Sequence, residues 1–415
     1  MSRIRAFIGA AALALASLVG VAPAFADVAA KIATIRHLQA GTLDAGEAEL
    51  AAMLATDPAN PDARLGLGLV QAVKVEAHLE QALYRYGLQP DFNTGIPILR
   101  LPVAPNPDPE PITYEAFRGI LQGAVDELTE LDATLAPLDS LSAKITFDLA
   151  TIVYDSDGDG AVGEFETLRD AIANFFPGTP LPSSGFVVGI DTADAIWLRG
   201  YAHIVMAFCE FLLAHDWHEG FDAAFQMYFP LSDLPMVGAP VVPKDENSGF
   251  FGSDESDIAD AISFVHLISW PVAEPARLLA VRDHLKAAVS LSRQNWASSL
   301  GEFDDDHEWL PAPDQHSALV RLSITSTQVK SWLAVLDELD ALLDGEKLIP
   351  HWRFTEGVNL RRVFEEPSTF DLVLWLTGPA ALPYLEAGPL SDGVTWQTLT
   401  RAFGTGFGAY AVWFN

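Results

Sequence analysis

From residue 27 onward, apolar side chains recur every three or four positions, the spacing of one face of a helix. Ala29, Ile32, Ile35 and Leu38 hold that period until Gly41, which ends a first helix. A second helix is predicted from about Asp44 to Thr56, with Asp57-Pro58 as its stop. A third opens at Pro61-Asp62 and carries Leu65, Leu69 and Ala72 on one side. The pattern then breaks. Pro90, Pro97, Pro102, Pro105, Pro107, Pro109 and Pro111 forbid a helix and predict an extended connector over 90–112. Thr113 can cap the next helix, whose apolar stripe is Phe117, Ile120, Leu121, Val125 and Leu128.

Ahead of residue 155 the pattern is ambiguous. Ile145-Thr146-Phe147 and Ile152-Val153-Tyr154 are β-branched and aromatic, so this stretch reads either as a helix of poor propensity or as an extended segment. Helical spacing resumes at Phe165, Leu168, Ile172 and Phe175 and ends at Phe176-Pro177-Gly178. Residues 191–229 hold the most apolar pattern. Asp191 or Thr192 would cap a core helix carrying Ile196, Trp197, Tyr201, Ile204, Val205, Phe208 and Leu212, with Gly200 allowing a neighbour close, and a second helix covers about Trp217 to Tyr228. A Pro- and Gly-containing loop over 231–253 precedes three more predicted helices. The first runs from near Ser253 through Ile258, Ile262, Val265 and Ile268 to Trp270-Pro271, the next from Pro275 to about Trp296, and the last from about His316 to Leu343. After Leu348, the segments Ile349–Phe354 and Val358–Phe364 predict a hairpin around Thr355-Glu356-Gly357, Asp371–Leu376 a third strand, and Phe403–Asn415 irregular structure. The expected fold is a mainly α, multi-helix globular protein with a short N-terminal helical-hairpin region over 27–89 and a larger helical domain over 113–415 that ends in a minor β or irregular tail.

Composition adds a compartment and a charge. Arg3 and Arg5, the apolar run Phe7–Val21 and the small-x-small site Ala24-Phe25-Ala26 make residues 1–26 a secretory signal, which sends a chain starting at Asp27 to a bacterial periplasm or beyond. No later stretch reads as long and apolar enough to span a bilayer. Half of the residues are hydrophobic, including 10 Trp and 24 Phe, which calls for a packed core and excludes a disordered chain. The formal net charge of -32 repels nucleic acid and anionic lipid and attracts divalent cations and basic partners. Cys209 is the single cysteine, so no intramolecular disulfide forms, and its place in an apolar helix predicts a buried thiol.

The clearest chemistry lies in Asp155 to Glu166, Asp-Ser-Asp-Gly-Asp-Gly-Ala-Val-Gly-Glu-Phe-Glu. Asp155, Asp157 and Asp159 alternate, Gly160 permits a sharp turn, Ala161 offers a backbone carbonyl, Gly163 leaves a vertex for water and Glu166 supplies two oxygens. With apolar Val162 at the eighth position, this stretch resembles an EF-hand loop. The resemblance implies Ca²⁺ held by Asp155, Asp157, Asp159, Ala161 and Glu166. No second complete loop is present, which points to a structural ion rather than a sensing switch. The first helices resemble tetratricopeptide-type hairpins over little more than one repeat. Gly41 and Leu43 stand at the turn, Asp57-Pro58 at the repeat end, and Leu67 and Gly68 in the next unit. Gly46 and Arg64 depart from that pattern. The resemblance implies a surface for docking another protein.

Three further clusters are candidates. His215, Asp216, His218 and Glu219 have a spacing that can share a metal on a helix, and equally that of a helix end favouring histidine. Asp304, Asp305, Asp306, His307 and Glu308 read as a solvated acidic loop, as a second calcium site or as the floor of a polar pocket. Arg353, Arg361 and Arg362 can pair with Glu365, Glu366 or the acidic run, or bind an anion. No nucleophile elbow, zinc-protease helix, phosphate loop or dinucleotide loop is present. The expected function is therefore an exported, non-catalytic calcium-binding protein. The alternatives are an exported hydrolase with a structural calcium and a docking factor acting through its N-terminal helices.

Overall fold

A computed structural model describes residues 27–90, 97–163, 166–175, 181–232, 262–263, 265–318 and 323–403. The predicted signal segment over 1–26, residues 233–253 of the predicted 231–253 loop, the helix start predicted near Ser253, the predicted 176–178 stop and the predicted irregular tail beyond Phe403 lie outside the described residues.

The chain is mainly α-helical. Helix α1 covers 27–40, α2 Leu43–Thr56 and α3 Pro61–Arg85. Gly41 makes the α1–α2 turn in the left-handed region at φ 65°, and the Asn60 side chain caps α3 by accepting from Ala63 N at 2.7 Å. Two glycines let α3 approach its neighbours: a Cβ on Gly66 would overlap Thr34 of α1, and one on Gly68 would overlap Leu135 of α4. The described part of the proline-rich connector, residues 97–112, lies against these helices. Leu99, Leu101 and Val103 are buried, and Asn106 Nδ2 donates to Tyr84 O at 2.8 Å. Glu110 N donates to Arg85 O at 2.9 Å.

Thr113 caps α4 (Tyr114–Leu135), accepting from Ala116 N at 3.1 Å, and buries Phe117, Leu121, Val125 and Leu128 as the stripe predicts. Strands β1 (Lys144–Asp148) and β2 (Val187–Asp191) pair antiparallel with Lys144 opposite Asp191. Helix α5 (Leu168–Phe175) lies between them in sequence. Asp191 caps α6 (Thr192–Ala214) in a capping box with Asp194. The short α7 (His218–Ala224) follows, then helical residues 265–267 (α8), β3 (Ser269–Trp270) and α9 (Pro275–Ser299). Helices α3, α4, α6 and α9 pack in that order, and α9 lies against α10 (Ser326–Leu343).

One apolar cluster runs from Ala30 through Leu65, Leu135, Ile145, Tyr154 and Trp296 to Phe364. A second gathers Phe117, Trp217, Phe221, Phe225 and Phe229.

Several expectations need correction. Helix α10 starts at Ser326 and not near His316, because Thr325 and Gln328 form a capping box there. The tail is more helical than predicted. β4 (Ile349–Pro350) and β5 (Gly357–Val358) do pair, but over two residues each, and α11 (Leu360–Glu365) replaces the rest of the second strand because Asn359 caps it. After β6 (Phe370–Asp371), the predicted third strand is α12 (Leu372–Thr377), capped by Asp371. β7 (Leu385–Glu386) joins β5, and α13 (Gly393–Phe403) follows. Thr192–Ala214 is long and apolar enough to cross a membrane, contrary to expectation. It packs against α4 and α9, and Asp194, Arg199 and Glu210 are buried along it. Cys209 is 3 % exposed, and burial pushes its thiol up to about 12.

Candidate metal centre

The loop at Asp155 is fed by extended chain, not by a helix. β1 ends at Asp148, a 3₁₀ turn covers Leu149–Thr151, and Val153 bridges Thr167 across the loop's base. Tyr154 N donates to Glu166 O at 3.2 Å, and Leu168 N to Ile152 O at 3.0 Å. This short antiparallel neck closes the turn before α5 begins. β-branched Ile152 and Val153 suit the extended backbone.

Within the loop each carboxylate is tied to backbone amides. Asp155 accepts from Gly158 N at 2.6 Å and Gly160 N at 2.9 Å, Asp157 from Asp159 N at 3.0 Å and Asp159 from Ala161 N at 2.7 Å. Glu166 reaches back to Ser156 N and Ser156 Oγ, both at 2.7 Å, and also accepts from Gly163 N. Gly158 and Gly160 take left-handed φ values of 79° and 83°, which turn the amides inward. Oxygens of Asp155, Asp157 and Glu166 thereby lie within 4.8 Å of one another, while the exposed Asp159 carboxylate stands outside that group. Burial raises the Asp157 pKa, and the charges of Asp159, Glu166 and Asp155 add to it.

The loop is fastened to the first helices. Gln81 Nε2 of α3 donates to Asp155 O at 2.7 Å, and a Cβ on Gly41 would come within 2.9 Å of Val162 Cγ2. Behind it, α3 buries Glu80 at 1 % exposure next to Glu76 and Tyr154. Among the described residues, neither Glu76 Oε1 nor Glu80 Oε1 has a hydrogen-bond partner.

A second acidic group forms where the ends of β2 and α9 meet the 301–318 loop. Gly189 N donates to His307 O at 2.9 Å, and Glu308 bridges both Gly189 and Ser317, which holds that loop against the sheet. His307 is left-handed at φ 73°. Oxygens of Asp304, Asp306 and Glu308 lie within 4.8 Å of one another, and so do those of Asp191, Glu302 and Glu308. Lys144 stands in the first group, with Nζ 2.7 Å from Asp304, bonded to Asp306 and 3.6 Å from Glu308. Burial opposes the Lys144 charge, but Asp304 and Asp306 prevail and its pKa rises, while the bond to Lys144 lowers that of Asp304. Burial raises Asp191, Asp194 and Glu302, and pushes Glu308 up to about 7. Asp191, Glu302, Asp304 and Lys144 line a cavity of about 600 Å³ together with Gln294 and Ser298.

The other sequence candidates do not converge. His215 is 2 % exposed, with Nδ1 on Phe211 O at 2.7 Å, and burial lowers its pKa. His218 stacks on Tyr114 at 4.7 Å and pairs with Asp222 at 3.6 Å, so the two histidines share no ligand position. Arg362 pairs with Glu366 at 2.8 Å and Glu386 at 3.2 Å, Arg361 with Glu365 at 3.7 Å, and Arg353 lies over the Trp352 ring at 4.6 Å. The acidic run pairs with Lys144 instead. Sequence reasoning missed Asp191 as more than a helix cap, and it missed Lys144, Asp194 and Glu302, which come from elements far apart in the chain. No family model, curated protein or solved structure matches this chain.

Proposed function

We propose that this is an exported, non-catalytic calcium-binding protein in which Ca²⁺ at Asp155, Asp157 and Glu166, with the Ala161 carbonyl and Asp159 closing on the ion, locks the loop onto the helical core. One observation carries the reading. Three carboxylates converge in a loop that Gln81 and Val162 tie to the first helices, so their repulsion loads the fold until a cation balances it. Oxygen-only donors and a glutamate in last place favour Ca²⁺ over Mg²⁺, which demands tighter octahedral geometry. The ion here is structural.

A thermal melt tests it. If calcium stands a thousandfold above its Kd, it stabilises the native state by about 4 kcal/mol. Millimolar calcium should therefore raise the melting temperature of the wild type by several degrees over chelator, and Glu166→Gln should abolish the rise. An unchanged wild-type melt would sink the proposal. A second reading, a hydrolase with a structural calcium, has the carboxylate-lined cavity in its favour. It requires turnover of some ester, amide or glycoside that Glu302→Gln removes.

A further inference from the structure

Helices α6 and α9 pack against each other more extensively than any other described pair of elements, and they run antiparallel. The start of α6 and the end of α9 meet at the cavity, which Asp191, Thr192 and Ile196 line together with Gln294 and Ser298. Towards the other end, Arg277 of α9 pairs with the buried Glu210 of α6 at 2.8 Å. Between these two places His203 Nδ1 lies 2.8 Å from His284 Nδ1, with the ring planes tilted by 42°. The side chain of His203 is only 13 % exposed.

That contact has room for a single hydrogen. A ring nitrogen either donates or accepts, so two of them at hydrogen-bond distance need one N–H and one lone pair. Asp132 of α4 stands 3.6 Å from His203 Nε2 and is itself held by Arg199 Nε at 2.7 Å. This favours hydrogen on His203 Nε2 and leaves its Nδ1 as the acceptor. His284 then donates from Nδ1. Its Nε2 meets no partner among the described residues, so it takes up one proton with the contact intact. A second proton has to go to His203 Nδ1. Two imidazolium N–H groups would then point at each other across the helix interface.

We propose that His203 and His284 form a pH-sensitive latch between α6 and α9, closed while at most one ring is charged and released when both are. The surroundings set its response. Asp132 faces His203, and Glu210, Asp283 and Asp132 act on His284, so the first charge is well tolerated. Arg199 is engaged by Asp132 and Asp139. Burial and then the His203 charge outweigh those acids and lower the His284 pKa. A histidine whose folded pKa lies below its ordinary 6.5 stabilises the fold above 6.5 and loses that contribution as the pH falls through the folded value. The latch therefore opens in acid. Because α6 and α9 both line the cavity, its release loosens two of the cavity's walls. It is independent of the loop at Asp155, so either can exist without the other.

The test is amide hydrogen exchange on α6 and α9 of the full chain at pH 7.5 and pH 5, corrected for the intrinsic pH dependence of exchange, for wild type, His284→Asn and His203→Asn. An asparagine side-chain amide stands where Nδ1 did and takes up no proton. Wild type should exchange these helices about tenfold faster at pH 5 than at pH 7.5, and both variants should lose most of that acceleration. Acidic groups elsewhere in the chain titrate alike in all three proteins, so the difference between wild type and variant isolates the pair. His203→Asn decides alone should His284→Asn fail to fold, and the reverse. No acceleration in wild type, or the same acceleration in a folded variant, overturns the latch.

Discussion

Glu76 and Glu80 sit one helical turn apart on α3, and burial raises both pKa values, with the Glu76 charge pushing Glu80 up further. Tyr154 and the more distant Glu166 face the pair from the loop, and Tyr201 faces Glu76 from α6. The sign of the pH effect follows. Below the ordinary glutamate value of 4.5 the carboxyls are protonated in both folded and unfolded chains and cost nothing. As pH rises, the unfolded chain ionises first, so stability falls through neutral and alkaline pH until the folded pair also titrates. Glu80→Gln keeps the shape and removes the charge. It should stabilise the protein by on the order of 1–3 kcal/mol at pH 8 and by nothing at pH 4, checked by denaturant unfolding at both. A constant difference across pH would mean that packing, not charge, separates the two proteins. At this scale the sequence makes the Asp155–Glu166 convergence legible because its carboxylates are neighbours along the chain. Glu80 and Glu302 were illegible, since a glutamate on a helix looks the same whether it faces solvent or another carboxyl.

Among elements, helix α3 shows how a local preference loses to packing. Glycine inside a helix costs about 1 kcal/mol relative to alanine, so Leu65-Gly66-Leu67-Gly68-Leu69 is a poor helical sequence in isolation. Gly68 nevertheless faces Leu135, which is fully buried and has no room to move. Overpacking of this kind costs about 1–3 kcal/mol, which exceeds the propensity gain. Gly68→Ala should therefore destabilise the protein by about 1 kcal/mol, whereas Gly123→Ala on α4, where an added Cβ meets nothing within 4 Å, should stabilise it by up to about 1 kcal/mol. Unfolding curves for the two variants decide it, and a gain at both positions would show that α3 and α4 are less tightly packed than these contacts imply. The same competition explains which elements could be read from the sequence. Helices with a strong cap and a wide stripe, such as α4 and α6, were legible to within a residue at their starts. In the tail, apolar runs like Leu372–Leu376 suit strand and helix equally, and the Asp371 cap decided for helix.

For the whole molecule the governing quantity is surplus charge: Asp and Glu total 56 against 24 Lys and Arg, a net of -32. Exposed ion pairs such as Arg85 with Glu110 contribute little and lose it in salt. Partly buried pairs such as Arg199 with Asp132 and Asp139 are screened much less. Repulsion between surplus carboxylates therefore dominates the salt dependence, and screening it should stabilise the fold. The Debye length shrinks from about 10 Å at 0.1 M to about 3 Å at 1 M, so sodium chloride should raise the melting temperature in chelator. Three carboxylates, Asp155, Asp157 and Glu166, concentrate that repulsion in one loop. Calcium bound there as proposed would neutralise it, so the melting temperature should depend on sodium chloride less steeply with calcium than with chelator. Measuring both slopes separates a local cause from a general one. A shallower slope with calcium places the repulsion at that loop, where ion binding can relieve it. Equal slopes would place it across the whole acidic surface and remove the electrostatic reason for calcium to hold this fold together.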